Sequence, residues 1–110
     1  MAIKIISATH RGLDGVLISV EVDIMKGLPT FYIVGLPDAS VRESKERVRA
    51  AIVNSGYEFP LGRITINLSP ADVRKNGTLL DLPIALGILM ESNQIDKKEL
   101  ENFIIFGELS

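Results

Sequence analysis

Residues 63–87, RITINLSPADVRKNGTLLDLPIALG, decide how this chain folds. The first six residues alternate between polar and apolar side chains, which predicts a strand over 63–68 with one buried face. A polar, turn-rich loop over 69–77 follows, and it contains two adjacent cations, Arg74 and Lys75. Asn76 and Gly77 favour a tight, exposed turn at the tip of this loop. The helix that comes next is apolar on nearly every side, so we expect it to be buried.

Composition limits the classes of protein that fit. With 110 residues, 46% of them hydrophobic and 24% charged, the chain has the balance of one folded domain or a piece of one. A net charge of −2 argues against wrapping nucleic acid by bulk charge, although a local basic patch remains compatible with it. The absence of cysteine excludes disulfides and thiol chemistry. No apolar run is long enough to span a bilayer, so we expect no membrane partner, and the lack of cysteine is compatible with the expected cytoplasmic location.

The remaining patterns predict the element order β-β-β-α-β-α-β. Strands are expected over 3–9, 16–24, 31–34, 63–68 and 103–106, with helices over 39–55 and after Thr78 and a short helical turn over 96–102. The apolar run 103–106 is typical of a central strand. Because the last strand stops without a closing element, we expect the chain to be truncated at its carboxyl end.

Local signals predict how the two helices begin and end. Asp38 and Ser40 are alternative amino-terminal caps for the first helix, and Gly56 is placed to end it in a left-handed conformation. Within that helix, Glu43 and Arg47 have the spacing of an ion pair. Thr78, followed by Asp81 three residues later, predicts the cap of the second helix.

No constellation of catalytic, cofactor-binding or metal-binding residues emerges from these patterns. The chain lacks a phosphate-binding glycine loop. Its single histidine, His10, is interpreted as solvated or hydrogen-bonded, because zinc sites need three or four clustered ligands. Glu21 and Asp23 share a strand face, where solvated acids are a simpler interpretation than a cation site. Ser69 and Lys75 lack a pattern for serine hydrolysis, so a turn-forming serine is favoured.

Four segments together resemble the amino-terminal domain of the ComM/YifB family of bacterial magnesium-chelatase-like AAA+ proteins. They are GLPTFYIVGLPDASVRESKERVRAAIVNSGYEFP (27–60), RITINLSPADVRKNG (63–77), LLDLPIALGIL (79–89) and FGELS (106–110). The resemblance covers nearly the whole chain.

This resemblance implies an α+β fold, a two-layer sheet-and-helix sandwich of the Lon protease domain and RadA carboxy-terminal domain type, with a left-handed βαβ crossover. It implies that residues 1–110 are an accessory domain and that an AAA+ module follows, outside this chain. ATP and Mg²⁺ are expected only in that missing module. Expected partners are the module itself, neighbouring subunits of a hexamer, and DNA.

The similarity to Lon does not carry its protease chemistry to this chain. Aligning the Lys-x-Gly turn places Leu79 at the position of the Lon nucleophile, whereas aligning the helix places Asp81 there. Neither alignment supplies a serine, so proteolysis is rejected. Asp81 is interpreted as a first-turn helix residue that the helix dipole favours.

The resulting hypothesis is a non-catalytic domain that assists DNA engagement or hexamer assembly in a branch-migrating helicase of natural transformation. Arg74 and Lys75, with Arg63 as a weaker candidate, are the residues predicted to contact nucleic acid or a neighbouring subunit. One alternative is a protein-interaction or oligomerisation module that never contacts nucleic acid. Another is an accessory domain of a chelatase-type ATPase.

Overall fold

A four-stranded sheet with two helices forms the described part of the domain. The computed structural model describes residues 2–11 and 13–110, without the side chains of residues 10 and 11. The elements, in chain order, are β1 (Ile3–Arg11), β2 (Asp14–Met25), β3 (Thr30–Val34), α1 (Ala39–Asn54), β4 (Arg63–Ser69), α2 (Asp81–Glu91) and a 3₁₀ turn (Lys97–Glu99). The first six elements and the late helical turn confirm the predicted order. The interpretation of His10 concerns a side chain outside the described part.

The sheet is mixed, with strand order β1-β2-β4-β3. β1 and β2 form an antiparallel hairpin, and β2 is also antiparallel to β4. β3 and β4 are parallel neighbours joined through α1, which makes a βαβ unit. The α+β class is therefore confirmed, whereas the Lon and RadA type and the handedness of the crossover stay predictions.

Alternating apolar side chains place the core on one face of the sheet. Ile18, Val20 and Val22 of β2 are fully buried, and Ile64 and Ile66 of β4 lie beside them in the same face. Truncating one such buried aliphatic side chain to alanine costs about 2–5 kcal/mol. The polar residues that alternate with them along these strands lie on the opposite face of the sheet.

The ends of α1 follow two of the predicted signals. Asp38 is the amino-terminal cap of α1, because its Oδ1 accepts a hydrogen bond of 2.8 Å from the amide of Val41. Of the two predicted caps, Asp38 and Ser40, the structure therefore has Asp38. Gly56 has φ +88° just after the helix, as predicted for a left-handed end. The predicted Thr78 cap of α2 is wrong, because the Thr78 hydroxyl donates to Glu108 and Leu80 takes the cap position without a side-chain bond.

The second helix is buried as its composition predicts. Eight of the eleven residues of α2 are buried, and the helix packs on β1, β2 and α1. Gly87 permits this approach, since a Cβ atom there would lie 2.5 Å from Cγ2 of Val22. A larger residue would push the helix away from the sheet.

The apolar run 103–106 does not form the predicted central strand. It lies outside β1, where a single parallel bridge pairs Ile104 with Ile6 and the amide of Ile105 donates to the carbonyl of Ile6. Ile105 is buried, but Phe103, Ile104 and Phe106 are each more than half exposed. A continuous apolar run forms a strand buried on two faces only when other elements of the fold pack on both of its faces. Here one face of the run is left uncovered.

Candidate functional site

The basic loop between β4 and α2 is bonded to the loop between β3 and α1. The amide of Lys75 donates to the carbonyl of Leu36 and the amide of Asp38 donates to the carbonyl of Lys75, each at 2.9 Å. On the other side, the Thr9 hydroxyl donates to Oδ1 of Asn76 at 3.2 Å. These bonds hold the second half of the basic loop against the domain.

Lys75 corrects the prediction of two cations at an exposed tip. Its side chain is 0% exposed, and its amine donates a hydrogen bond to the carbonyl of Pro70 within the same loop. Burial lowers the pKa of Lys75, and the nearby charge of Asp72 partly opposes that shift. Because the ammonium group is enclosed, Lys75 stabilises the loop from inside and is not available to a phosphate in this conformation.

Arg74 and Arg63 are exposed, but the structure does not bring them together. Arg63 begins β4 and its guanidinium lies 5.9 Å from the ring centre of Tyr32. Arg74 follows the other end of the same strand, and at about 3.3 Å per residue the two ends of β4 are about 20 Å apart. The three predicted contact residues therefore do not form one basic patch. Whether Arg63 or Arg74 contacts a partner stays a prediction.

An ion pair between a buried carboxylate and a partly exposed guanidinium, which the sequence patterns did not predict, joins the two helices. Asp81 is 1% exposed and accepts two bonds from Arg47, 2.7 Å from Nε and 3.0 Å from Nη2. The same Nη2 donates to the carbonyl of Ser40. The salt bridge of Arg47 is therefore made with Asp81 and not with Glu43, its predicted partner. The hydrogen bond to Asp81 is the main cause that raises the pKa of Arg47.

The carboxyl-terminal segment is fastened to the start of α2 at the same place. The amide of Leu109 donates to Oδ2 of Asp81 at 3.1 Å, and the Thr78 hydroxyl donates to Glu108 at 2.7 Å. Two backbone bonds join Gly107 to Leu79 and Leu82. The sequence feature that could have indicated this junction is Asp81, a single acidic residue at the start of an apolar helix. A carboxylate needs a partner when it is buried.

Hydrogen bonds occupy both oxygens of the Asp81 carboxylate at this junction. Asp81 lies at the position that one Lon alignment assigns to the nucleophile, and both of its oxygens accept hydrogen bonds from Arg47 or Leu109. Among the described side chains, those of residues 2–9 and 13–110, no group of three or more potential metal-ligating residues is clustered. Within the same part of the chain, no helix has the length and apolar character needed to cross a membrane.

Comparisons with known proteins assign the family. A family model described as subunit ChlI of Mg-chelatase matches residues 20–110. The chain belongs to the ChlI family, within its ComM/YifB group. The uncharacterized protein YifB of Escherichia coli K12 is 50% identical over 99 residues, which is 90% of this chain and 20% of that protein. The competence protein ComM of Haemophilus influenzae is 43% identical over 104 residues, covering 94% of this chain and 20% of ComM.

A mycobacterial relative gives the same coverage. The uncharacterized protein Rv2897c of Mycobacterium tuberculosis H37Rv is 44% identical over 104 residues, covering 94% of this ChlI-family chain and 21% of the relative. The chain thus spans about a fifth of the length of the curated relatives it matches. The resemblance stated from the sequence is confirmed at the level of the family.

Proposed function

We propose that this ChlI-family chain is a non-catalytic accessory domain of a ComM-type AAA+ ATPase and assists subunit assembly or DNA engagement. In this proposal a cytoplasmic hexamer carries out branch migration during natural transformation. ATP and Mg²⁺ bind in an AAA+ module outside the 110 residues. The observation that carries the proposal is the 43% identity to ComM, a competence protein by name, over 94% of the chain.

Within this proposal, the distribution of charge favours assembly over DNA engagement. Lys75 is enclosed, Arg63 begins β4, and Arg74 lies in the loop beyond the other end of that strand, which is about 20 Å long. A phosphate backbone is bound most strongly by clustered cations, which release several counterions together. Exposed apolar side chains are instead available for protein contact, including Tyr32, Val34 and Phe103.

The deciding experiment measures DNA binding by the intact protein with Arg63→Ala and Arg74→Ala combined. If either residue binds phosphate, affinity falls and the slope of log K against log salt decreases by about 0.9 for each phosphate that is no longer neutralised. The matched control is Lys97→Ala with Lys98→Ala, because both lysines are exposed and lie in the 3₁₀ turn, outside β4 and the basic loop. Equal DNA binding by wild type, control and double variant would remove DNA engagement from the proposal.

The role in subunit assembly is tested separately. Light scattering in the presence of nucleotide compares the oligomeric state of the intact protein with that of a variant that lacks residues 1–110. Loss of the ring supports assembly, and an unchanged ring with unchanged DNA binding would overturn the proposal. The chelatase alternative is supported by the description of the family model as a subunit of Mg-chelatase. Porphyrin metallation by the intact protein with its partner subunits would favour that alternative.

A further inference from the structure

The outward side of α2 is apolar. Eight of its eleven residues are buried, and the other three are Leu82, Leu86 and Glu91. Because residues four apart lie on the same side of a helix, Leu82 and Leu86 form one partly exposed stripe. A helix at the surface of a domain carries polar or charged side chains there, as α1 does with Arg42 and Glu46. The composition of α2 is therefore that of a helix covered on every side.

An open groove runs along this stripe. It lies between α2 and the segment 103–106, and apolar side chains line it, among them Leu82, Leu86, Leu100, Phe103 and Ile105. Phe103 is 61% exposed, although the segment joins β1 through a parallel bridge. Parallel strands are usually covered by helices, and a continuous apolar run is typical of them. The groove is thus the place where the sequence pattern calls for a further helix.

The chain runs onto this apolar side directly after the segment 103–106. Backbone hydrogen bonds fasten Gly107 to the start of α2. The amide of Leu109 donates to Oδ2 of Asp81 at 3.1 Å. The Leu109 side chain lines a second apolar groove, between α1 and α2, which Leu82 and Leu86 also line. Residues that follow Leu109 are therefore delivered to the outward side of α2.

A later segment of the same chain is favoured over a separate partner by effective concentration. The relatives that this chain matches are about five times as long, so most of each relative lies outside the matched part. A segment attached through a short linker is present at an effective concentration in the millimolar range. A second copy at micromolar concentration would have to bind the groove about a thousandfold more tightly to compete.

We propose that in the intact protein the residues after Ser110 form an amphipathic helix that fills the groove between α2 and the segment 103–106. Its apolar stripe packs on Leu82, Leu86 and Phe103. A strand–helix–strand unit takes about 30 residues, so the helix lies within about 30 residues of Ser110. The proposal concerns how the domain is completed and does not depend on the proposed function.

Thiol labelling measures this cover directly, since the 110 residues contain no cysteine. Phe103→Cys reports on the groove. Val53→Cys is the matched control, because Val53 is 55% exposed on α1. Each variant is made in the 110-residue chain and in the intact protein, which is diluted without nucleotide until light scattering shows a monomer. Peptide mass spectrometry after maleimide treatment reads each position separately, and far-UV circular dichroism checks that the variants are folded.

Position 103 should label at least about tenfold more slowly in the intact monomer than in the 110-residue chain, because labelling then requires local opening. Position 53 should label equally fast in both. Equal labelling of position 103 in the two forms would overturn the proposal. Slow labelling that appears only after nucleotide assembles a ring would also overturn it, because the occupant would then belong to a neighbouring subunit.

Photo-crosslinking identifies the occupant independently. The residue p-benzoylphenylalanine in place of Phe103 keeps an aromatic ring in the groove. Irradiation of the intact monomer should join it to a peptide within about 30 residues of Ser110. In a mixture of isotopically labelled and unlabelled protein, the crosslink should stay within one copy. A crosslink to a later part of the chain, or between copies, would contradict the proposal and leave the DNA-binding and ring experiments unaffected.

Discussion

The Arg47–Asp81 pair allows a quantitative prediction by a double-mutant cycle. Asp81 is 1% exposed and accepts two bonds from Arg47 and one from the amide of Leu109. The change Arg47→Met removes both charge-assisted bonds and leaves the carboxylate buried with a single backbone donor. Breaking a buried ion pair on one side costs about 3–5 kcal/mol, a large share of the roughly 5–15 kcal/mol that stabilises a typical domain.

The second single variant of the cycle, Asp81→Asn, should lose less free energy of unfolding than Arg47→Met. The Arg47 side chain is 22% exposed, so its guanidinium can reach water when the carboxylate is lost. The neutral amide still accepts the bond from Leu109 but leaves polar groups unpaired, at a cost of about 1–3 kcal/mol. In the double variant no charge is left buried at this position. We therefore expect Arg47→Met with Asp81→Asn to be more stable than Arg47→Met alone, with a coupling energy of about 2 kcal/mol or more.

Urea unfolding at neutral pH, followed by far-UV circular dichroism, measures each free energy of unfolding. The matched control is Arg42→Met, an exposed arginine of the same helix that donates one bond to the carbonyl of Pro37. Its free energy of unfolding should stay within about 0.5 kcal/mol of wild type. Strictly additive losses in the cycle, or a loss for Arg47→Met as small as that of the control, would refute the reasoning.

Three further predictions concern packing and pH. Gly87→Ala should destabilise the domain by about 1–3 kcal/mol through a clash with β2, while Gly15→Ala, with no described atom within 4 Å of its new Cβ, should not; thermal melts compare them. Burial lowers the pKa of Lys75 from 10.5, so the unfolded state binds more protons than the folded state. The contribution of Lys75 to stability should therefore rise as pH increases towards 10.5. A Lys75→Met variant that keeps the same slope of stability against pH in urea titrations would contradict the burial of this amine. Burial raises the pKa of Glu91 from 4.5, so the contribution of Glu91 to stability should be fully present below that pH and be lost as pH rises through the folded-state pKa; Glu91→Gln should remove this contribution to the pH dependence in melts between acid and neutral pH.

Strand and helix patterns were predictable because they depend on short periods. The alternation in β2 and β4 predicted which side chains enter the core, since successive strand residues point to opposite faces. The all-round apolar character of α2 predicted its burial in the same way. The family was also predictable, because segments spread over nearly the whole chain matched together.

The candidate site was less predictable. Arg74 and Lys75 are neighbours with the same charge, and composition treats them alike. The loop enters the fold in a conformation that buries Lys75 and exposes Arg74, and that conformation is held by bonds to Leu36 and Asp38 from a distant loop. Contacts of this kind depend on which segments the topology brings together, so local turn signals do not reveal them.

Sequence by itself determined four strands and two helices, the buried faces of β2 and β4, and the family, because these follow from local periodicity and from residue identity. Only the tertiary structure decided that Arg47 pairs with Asp81, 34 residues away, and that the run 103–106 lies outside β1. It also decided that Lys75 is buried while its neighbour Arg74 is exposed, and that the uncharged β3 forms the last strand of the sheet. The physical reason is that burial and pairing at these positions depend on neighbours distant in sequence, and those neighbours are specified by the packing of the whole chain.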